Sequence, residues 1–329
     1  MRAAFLVLGL FAACLAAVPL ANAQDDPVSR VRFDEILQVP VSALQLSQPL
    51  AVHSDLHTGE LFVADVRRNT IAIFDGSGLF RFAIPGGQVF TSPQDIAVWP
   101  DGHILVLAYT DRGRSLVRMD FDGRHPELFP LHGIPASAQE PWLTSIALSA
   151  DGTRIYLLDE KNNRLWIANE GGNIVGSTDL AEGYTPKEKR EQILERVDVY
   201  GDTVLVPLPM AGIVRMFDLD GEPIGFTGRK GGASCETGFP VAAALAQDGN
   251  VLILDQQRAL MMIWRPSDNR CLGEISGIGG APGRLYRPAD LALDPSGNAF
   301  VGQGFEGRVQ RFRGVAPAEG AFEAAKLRE

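Results

Sequence analysis

Two stretches of the sequence identify the fold: PQDIAVWPDGHILVLAY over residues 93–109 and PADLALDPSGNAFVGQG over residues 288–304. In each, an apolar run leads into a tight turn with a glycine, and a second apolar run follows. Short runs rich in Val, Ile and Leu on either side of a turn predict a pair of antiparallel β-strands. The same arrangement recurs every 43 to 50 residues, with its glycine at Gly59, Gly102, Gly152, Gly201, Gly249 and Gly297. The chain is therefore a sixfold repeat.

A third strand follows each pair after a short polar loop, as in TIAIFD (residues 70–75), RLWIAN (164–169) and LMMIWR (260–265). A further Gly or Asp turn closes most of these strands and leaves room for a fourth. Four short strands per repeat are typical of a β-propeller blade. Their near-continuous apolar character fits sheets that are buried on both faces. The sequence thus predicts an all-β, six-bladed β-propeller.

The pattern P-x-D-[IL]-A-[VL]-x-x-[DS]-G, followed by a strand, a polar loop and a third strand, resembles the NHL repeat. The resemblance covers roughly residues 47–313 and implies a single propeller domain with six blades. Rival repeats fit less well, since neither a WD signature nor an in-register kelch double glycine occurs. The last copy contains only three strands, so we expect Phe33–Val39 (FDEILQV) to supply its fourth and close the ring. Residues 24–46 then form an N-terminal segment, and residues 314–329 a tail.

The N-terminus has the pattern of an export signal. Arg2 is followed by an apolar run from Ala3 to Leu20 and by Ala21-Asn22-Ala23. A positive residue, a short apolar stretch and an A-x-A site predict a cleaved signal peptide over residues 1–23, with a mature start near Gln24. We therefore expect a periplasmic or secreted protein without stable membrane insertion, since no second apolar span follows.

Composition and charge exclude several classes of function. The 329 residues are 46% hydrophobic and 21% charged, which excludes a disordered chain, and the formal charge of −10 argues against a nucleic-acid partner. Cys235 and Cys271 are the cysteines that follow the signal. In an oxidising compartment such a pair favours a disulfide, and two free buried thiols are the alternative.

One helix interrupts the strand pattern between the third and fourth repeats. Thr185 is suited to cap it, Pro186 to occupy its first position and Glu188 to complete a capping box. These signals predict a helix over about residues 186–195. It is either a lid or docking element, or an insertion that only compensates for length.

Aligning the first strands of the six repeats brings one residue of each to an equivalent position at the mouth of the central channel. These residues are Pro49, Asp95, Ser145, Arg196, Ala242 and Asp290. The polar members of this set are the candidate catalytic residues: Asp95, Ser145, Arg196 and Asp290. Together they suit a small polar ligand or a hard cation such as Ca²⁺. The alternative is structural, because this Asp belongs to the repeat and commonly accepts hydrogen bonds from backbone donors. The same alternative holds for the aspartates that end second strands: Asp65, Asp159 and Asp255.

The histidines do not predict a metal centre. Enzymes that resemble this fold include zinc-dependent lyases and calcium-dependent lactone hydrolases, and a channel zinc site needs imidazoles from several blades. The five histidines are His53, His57, His103, His125 and His132. They lie in the first two repeats or just after them, and we interpret them as surface or turn residues. No cofactor is predicted, and Ca²⁺ is the one metal that the channel carboxylates suit.

Basic residues concentrate on one predicted face, formed by the loops between second and third strands and by the connections between blades. We call it the arginine face; its residues are Arg67, Arg68, Arg112, Arg114, Lys161, Arg164, Arg229, Lys230, Arg258, Arg284, Arg287 and Arg308. The opposite turns form the aspartate face, with Asp101, Asp122, Asp151, Asp220, Asp248 and Asp268. A basic face on an acidic protein favours an anionic partner. The alternative is that these arginines pair with neighbouring carboxylates, at about 0–1 kcal/mol each.

Three functional hypotheses remain. The first is an exported, monomeric scaffold that binds an exported protein or a small anionic ligand on the arginine face, chiefly through Arg67, Arg68, Arg112, Arg114, Arg164, Arg258 and Arg308. The second is a metal-dependent hydrolase or lyase with its site at the channel mouth. The third is an accessory protein that docks an exported redox partner. Neither a Ser-His-Asp order nor a phosphate-binding glycine loop favours the enzyme.

Overall fold

The structure, a computed structural model, describes residues 27–40, 42–87 and 89–314. The predicted signal peptide, the predicted mature start at Gln24 and the tail after Gly314 lie outside these residues. Within them the chain forms six four-stranded antiparallel sheets in succession. The prediction of an all-β, six-bladed propeller is confirmed.

The chain enters through a one-turn helix, α1 (Pro27–Arg30), and a strand, β1 (Arg32–Ile36). Blade 1 contains β2 (Pro49–Ser54), β3 (Leu61–Asp65), β4 (Thr70–Phe74) and β5 (Phe80–Pro85). Blade 2 contains β6 (Thr91–Val98), β7 (Ile104–Thr110), β8 (Gly113–Met119) and β9 (Glu127–Leu128). Blade 3 contains β10 (Leu143–Leu148), β11 (Arg154–Asp159), β12 (Arg164–Asn169) and β13 (Ile174–Asp179), and helix α2 (Pro186–Glu191) follows it.

Blade 4 contains β14 (Asp198–Tyr200), β15 (Thr203–Leu208), β16 (Ile213–Phe217) and β17 (Pro223–Thr227). Blade 5 contains β18 (Pro240–Leu245), β19 (Val251–Asp255), β20 (Leu260–Arg265) and β21 (Arg270–Ser276). Blade 6 contains β22 (Asp290–Leu293), β23 (Ala299–Gln303) and β24 (Arg308–Arg313), with β1 as its fourth strand. Short 3-10 turns lie at Ser42–Leu44 and Pro266–Asp268.

The first strand of each blade lines the central channel. These six strands contact one another in the order β2, β6, β10, β14, β18 and β22, and β22 contacts β2. Blades 1 and 4 therefore lie on opposite sides of the channel. Among the described residues, no helix combines the length and the apolar character that crossing a membrane requires.

The hydrophobic core is divided among the boundaries between blades. Phe62 and Ile96 belong to the cluster between blades 1 and 2, and Leu107 and Ile146 to the next. Corresponding clusters fill the other boundaries. Strands such as β3 and β19 are buried along their whole length because a sheet packs on each side of them.

The recurrent D-G turns have a local cause. Asp101 and Asp248 accept the backbone amide two residues on, at 3.0 Å and 2.9 Å. The glycines that follow them have φ of 88° and 81°, in the left-handed region that glycine enters without strain. The turn signal in the sequence therefore marks the hairpin between the first and second strand of the blade.

Strand β1 closes the ring by pairing with β24, and Phe33 packs edge-on against Phe312 with ring centroids 6.0 Å apart. The strand ends at Ile36 rather than at Val39. Leu37 and Val39 instead turn into the core between blades 6 and 1, where both are buried. Burial of these two apolar side chains thus ends the strand.

Helix α2 has the predicted start, with the Thr185 cap and the complete capping box to Glu188. It ends at Glu191, before the predicted residue 195. Leu194 and Val197 are each 1% exposed and pack in the core between blades 3 and 4, which draws the chain out of the helix.

The structure joins Cys235 and Cys271 in a disulfide. Cys235 lies in the connection from blade 4 to blade 5, and Cys271 lies in β21, the outer strand of blade 5. The bond therefore fastens a blade-connecting loop to the sheet that follows it.

Candidate functional site

The strand register places one residue of each first strand at the same level of the channel. The last pairs before the first hairpins are Ser54–Leu61, Val98–Ile104, Leu148–Ile155, Leu245–Val251 and Leu293–Ala299. Three residues earlier lie Ala51, Asp95, Ser145, Ala242 and Asp290. Pro49 was the wrong member of this set. It pairs with Asp65 as Leu143 pairs with Asp159 and Pro240 with Asp255, so it corresponds to residues that lie two positions before Ser145 and Ala242.

The four candidate catalytic residues come together, and the side chain of Arg196 connects the others across the channel. From blade 4 its guanidinium donates to the carbonyl of Leu50 in blade 1. Its Nε lies 3.2 Å from Oδ2 of Asp290 in blade 6, and its Nη1 lies 4.0 Å from Oδ2 of Asp95 in blade 2. All three charged side chains are almost completely buried. The side chain of Arg196 thus crosses the channel and separates its two ends.

The same residues also hold neighbouring inner strands together. Asp95 Oδ2 accepts the Ile146 amide of the next blade at 2.8 Å, and Asp290 Oδ2 accepts the Val52 amide at 2.9 Å. Ser145 Oγ donates to Asp95 at 2.5 Å and accepts the Val197 amide at 3.0 Å. The Asp of the repeat motif therefore links first strands, and its oxygens are directed at amides and at Arg196.

Burial changes the pKa values of the ionisable groups in this cluster. Burial raises the pKa of Asp290 to about 6, against the opposing effect of Arg196. Burial also lowers the pKa of Arg196, but Asp290 and Asp95 more than offset this, so that it lies above its ordinary value. Asp290 is thus a carboxyl that gains a proton near neutral pH.

A depression opens at the channel end on the arginine face. One part, of about 190 Å³, is lined by Leu50, Gln94, Arg114, Thr144, Glu195, Arg196, Gln256 and Ala289. An adjoining part, of about 230 Å³, shares Leu50, Gln256 and Ala289 and adds Gln48, Arg287, Gly304 and Phe305. Phe305 is 67% exposed and packs edge-on against Tyr286, with ring centroids 5.2 Å apart. The depression therefore combines guanidinium, amide and aromatic groups.

Arg114 and Arg287 are the members of the arginine face that line this depression, and Arg114 is the one held in place by its neighbours. Its guanidinium carbon lies 4.5 Å from the Trp142 ring centre, and Nη1 donates to the Leu143 carbonyl at 2.6 Å. Its Nε is buried without a hydrogen-bond partner among the described residues. Glu195 brings a carboxyl group to the same depression. Nearby, the pKa of Glu160 is raised, mainly by burial and then by the charge of Glu195.

The other arginines of the predicted face divide into two groups. Arg164 in β12 donates to Ser177 in β13, Arg258 pairs with Glu274 at 2.7 Å, and Arg308 donates to the Gly280 carbonyl at 2.8 Å, so these three are held by contacts within the fold. The exposed members are Arg67, Arg68, Arg112, Lys161, Arg229, Lys230, Arg284 and Arg287. The basic character of this face thus comes mainly from the exposed group.

The aspartates that end second strands serve the backbone. Asp65 accepts the amides of Gln48 and Arg68 at 3.0 Å and 2.9 Å. Asp159 accepts the Trp142 amide, and Asp255 accepts the Gly238 amide. These carboxylates therefore fix the loops of the arginine face, in line with the structural alternative for them.

A smaller cavity opens at the other channel end, on the aspartate face, and sequence reasoning missed it. His53, Asp198 and Tyr200 line it. His53 is thus a half-buried strand residue, and the interpretation of all five histidines as surface or turn residues was wrong for it. Two residues further on, the sequence alignment places Ala51 opposite Asp198, and only the register of the structure, with Ala51 in place of Pro49, brings His53 to that level.

The comparisons with known proteins identify the fold alone. No family model matches the chain, and no curated protein matches it. A solved structure of a protein of unknown function from Bacteroides thetaiotaomicron is similar, with a TM-score of 0.61 and 13% identity. The similarity covers 87% of this chain and 73% of that one.

Proposed function

We propose that this chain is an exported propeller of the NHL type that works as a binding scaffold. The depression on its arginine face takes an anionic group, carried by an acidic segment of an exported protein or by a small ligand. The propeller supplies a rigid frame, because each inner strand packs against its neighbours around the ring, and the blade loops present the binding groups around the channel mouth.

Arg114 is the observation that supports the proposal most directly. Stacking on Trp142 and the bond to Leu143 hold its guanidinium at the depression, while its buried Nε keeps an unused donor. A guanidinium held in this way binds a carboxylate or phosphate with less loss of side-chain entropy than a free arginine. Exposed Arg112 and Arg287 add positive charge on the same face, which attracts an anionic partner from a distance.

The test uses a labelled acidic peptide of ten Glu and Asp residues, with binding followed by fluorescence anisotropy at low and at physiological salt. We expect the double variant Arg112→Glu/Arg287→Glu to bind about tenfold more weakly, with the difference shrinking as salt increases. Arg124→Glu is the matched control, since Arg124 is 77% exposed on the opposite face. Equal affinity of all three proteins, or an equal loss in the control, contradicts the proposal.

Export is tested separately. The full chain and a chain without residues 2–23 are expressed in a bacterial host, and the periplasmic and cytoplasmic fractions are compared. We expect only the full chain in the periplasm, with a mass that corresponds to a start at Gln24. Retention of the full chain in the cytoplasm contradicts this part of the proposal and leaves the binding test unaffected.

A further inference from the structure

The cavity on the aspartate face is lined by both apolar and polar residues, and its volume is about 70 Å³. The apolar part of its lining is Val52, Leu56, Val98, Ala147, Leu148, Ala150, Val199 and Ala292. The polar part is His53, Ser54, Asp55, His57, Ser149, Asp198 and Tyr200. Since this end of the channel is separated from the depression by Arg196, the cavity is a site of its own. We call it the Asp198 cavity.

Two polar atoms in this cavity have no hydrogen-bond partner among the residues that the structure describes. They are Oδ2 of Asp198 and Oγ of Ser54, and each atom is almost inaccessible to solvent. Ser54 is only 7% exposed as a whole. Buried polar atoms are nearly always paired, so two unpaired atoms in one cavity need a partner that the described residues do not supply, either an ordered water or a bound ligand.

The residues that lie at the same height in the channel as Asp198 explain why the cavity is open there. The strand register puts His53, Ala97, Ala147, Ala244 and Ala292 at this level. Asp198 joins them from blade 4, because the amide of the preceding Val197 bonds to Ser145 of blade 3 as that of Ile146, before Ala147, bonds to Asp95 of blade 2. Four alanines leave the centre open, and the two larger side chains come from blades 1 and 4, on opposite sides. Burial lowers the pKa of His53, so this imidazole is neutral near pH 7 and adds no positive charge.

The charges around the cavity are unbalanced. Three carboxyl groups, those of Asp95, Asp198 and Asp290, surround the single guanidinium of Arg196. Burial, Asp290 and Asp95 raise the pKa of Asp198 well above its ordinary value, so that without a cation this carboxyl holds a proton more readily than an exposed aspartate. A cation bound beside Asp198 takes the place of that proton and stabilises the carboxylate.

The mouth of the cavity is acidic as well. Each first hairpin carries one aspartate: Asp55, Asp101, Asp151, Asp202, Asp248 and Asp294. The loop residues of these hairpins, 55–60, 99–103, 149–153, 201–202, 246–250 and 294–298, include no lysine or arginine. This ring produces a negative potential over the opening, which concentrates cations there.

We propose that the Asp198 cavity binds a primary ammonium group on a short alkyl chain, from a free amine or from the lysine side chain of a partner. The ammonium has three N–H donors, for Asp198 Oδ2, Ser54 Oγ and the Tyr200 hydroxyl. The Tyr200 hydroxyl is held in place because it accepts the Leu293 amide at 3.3 Å. The apolar walls suit the alkyl chain. This inference concerns the opposite channel end and does not depend on the proposed function.

Titration calorimetry with n-propylammonium tests the proposal, in an amine-free buffer at pH 8. We expect saturable binding of one equivalent and a loss of affinity of about tenfold or more in Asp198→Asn. The variant removes the charge without changing the shape, so it is expected to fold. Asp202→Asn is the matched control, because Asp202 is exposed on the same acidic ring, and its affinity falls by less than about twofold at physiological salt.

Further ligands and a second variant separate the remaining outcomes. 1-Propanol has the same size without the charge, and we expect it not to bind. Nα-acetyl-lysine amide distinguishes the two sources of the ammonium group. If only propylammonium binds, the ligand is a free amine. If both compounds bind, the lysine side chain of a partner is also a ligand. Ser54→Ala is expected to weaken propylammonium while leaving the fold intact. No saturable binding, or equal affinity in wild type and Asp198→Asn, overturns the proposal.

Discussion

Nε of Arg196 in blade 4 lies 3.2 Å from Oδ2 of Asp290 in blade 6, and the same guanidinium reaches the Leu50 carbonyl in blade 1. A single side chain therefore spans the channel of the propeller. Breaking a buried ion pair by removing one partner is costly, because the other charge stays behind without compensation. This contact both stabilises the ring and divides the channel into two binding spaces.

Arg196→Met tests the stabilising role. Methionine retains much of the length but leaves Asp95 and Asp290 buried without a positive charge, and we expect a loss of about 3–5 kcal/mol in the free energy of unfolding at pH 8. The loss is smaller at pH 5, because Asp290, with its pKa of about 6, is then mostly protonated. Urea unfolding at both pH values measures this. Arg112→Met, on the surface, is the control and is expected to change stability by less than about 0.5 kcal/mol; an equally small effect of Arg196→Met contradicts the prediction.

Asp198→Asn tests the unpaired carboxylate without any ligand. A carboxyl whose pKa is raised on folding contributes stability that is present below its unfolded pKa and is lost as pH rises through the folded value. Asparagine removes this dependence, so we expect the variant to be more stable than wild type at pH 8 and equal to it near pH 4. Thermal unfolding from pH 4 to 8 in amine-free buffer gives the two curves. Parallel curves for Asp198→Asn and wild type are incompatible with the assignment.

The Cys235–Cys271 disulfide predicts a dependence on reductant. The cysteines are 36 residues apart, and loss of a bond of this span is expected to cost about 2–4 kcal/mol. We expect dithiothreitol to lower the unfolding midpoint of wild type and to leave the Cys235→Ser/Cys271→Ser variant unchanged. Alkylation of the denatured, unreduced protein is expected to label neither residue, and labelling of both shows free thiols instead.

Phe33→Ala tests closure by the N-terminal strand. Phe33 packs against Phe312, so its truncation loosens β1 from β24 and exposes the edge of blade 6. We expect a loss of about 2–4 kcal/mol and a tendency to self-associate, measured by urea unfolding and light scattering. Phe121→Ala makes the same chemical change at a side chain that is 64% exposed and is expected to be nearly neutral. A monomeric Phe33→Ala protein of wild-type stability refutes this role of the strand.

The repeat, the strand order within a blade, the closing strand and the capped start of helix α2 could all be predicted from the sequence. These features depend on residues that are close in the chain: an Asp-Gly pair makes a hairpin wherever it lies, and Thr185 caps the helix with Glu188 three residues on. Because the repeat occurs six times, the hairpin signal could be recognised in six places. Equivalent positions in the first strands of the repeats were also sufficient to bring Asp95, Ser145, Arg196 and Asp290 into one group.

The role of that group depends on tertiary contacts, which local sequence does not encode. Whether Asp290 is a free carboxylate or the partner of Arg196 is set by contacts between blades 4 and 6, which lie far apart in sequence. The strand pairing that puts Ala51 rather than Pro49 in the set, and the open space that leaves Asp198 unpaired, arise in the same way. Ring closure brings six distant segments around one axis, and burial there sets the charges, because desolvation depends on what surrounds a group in space.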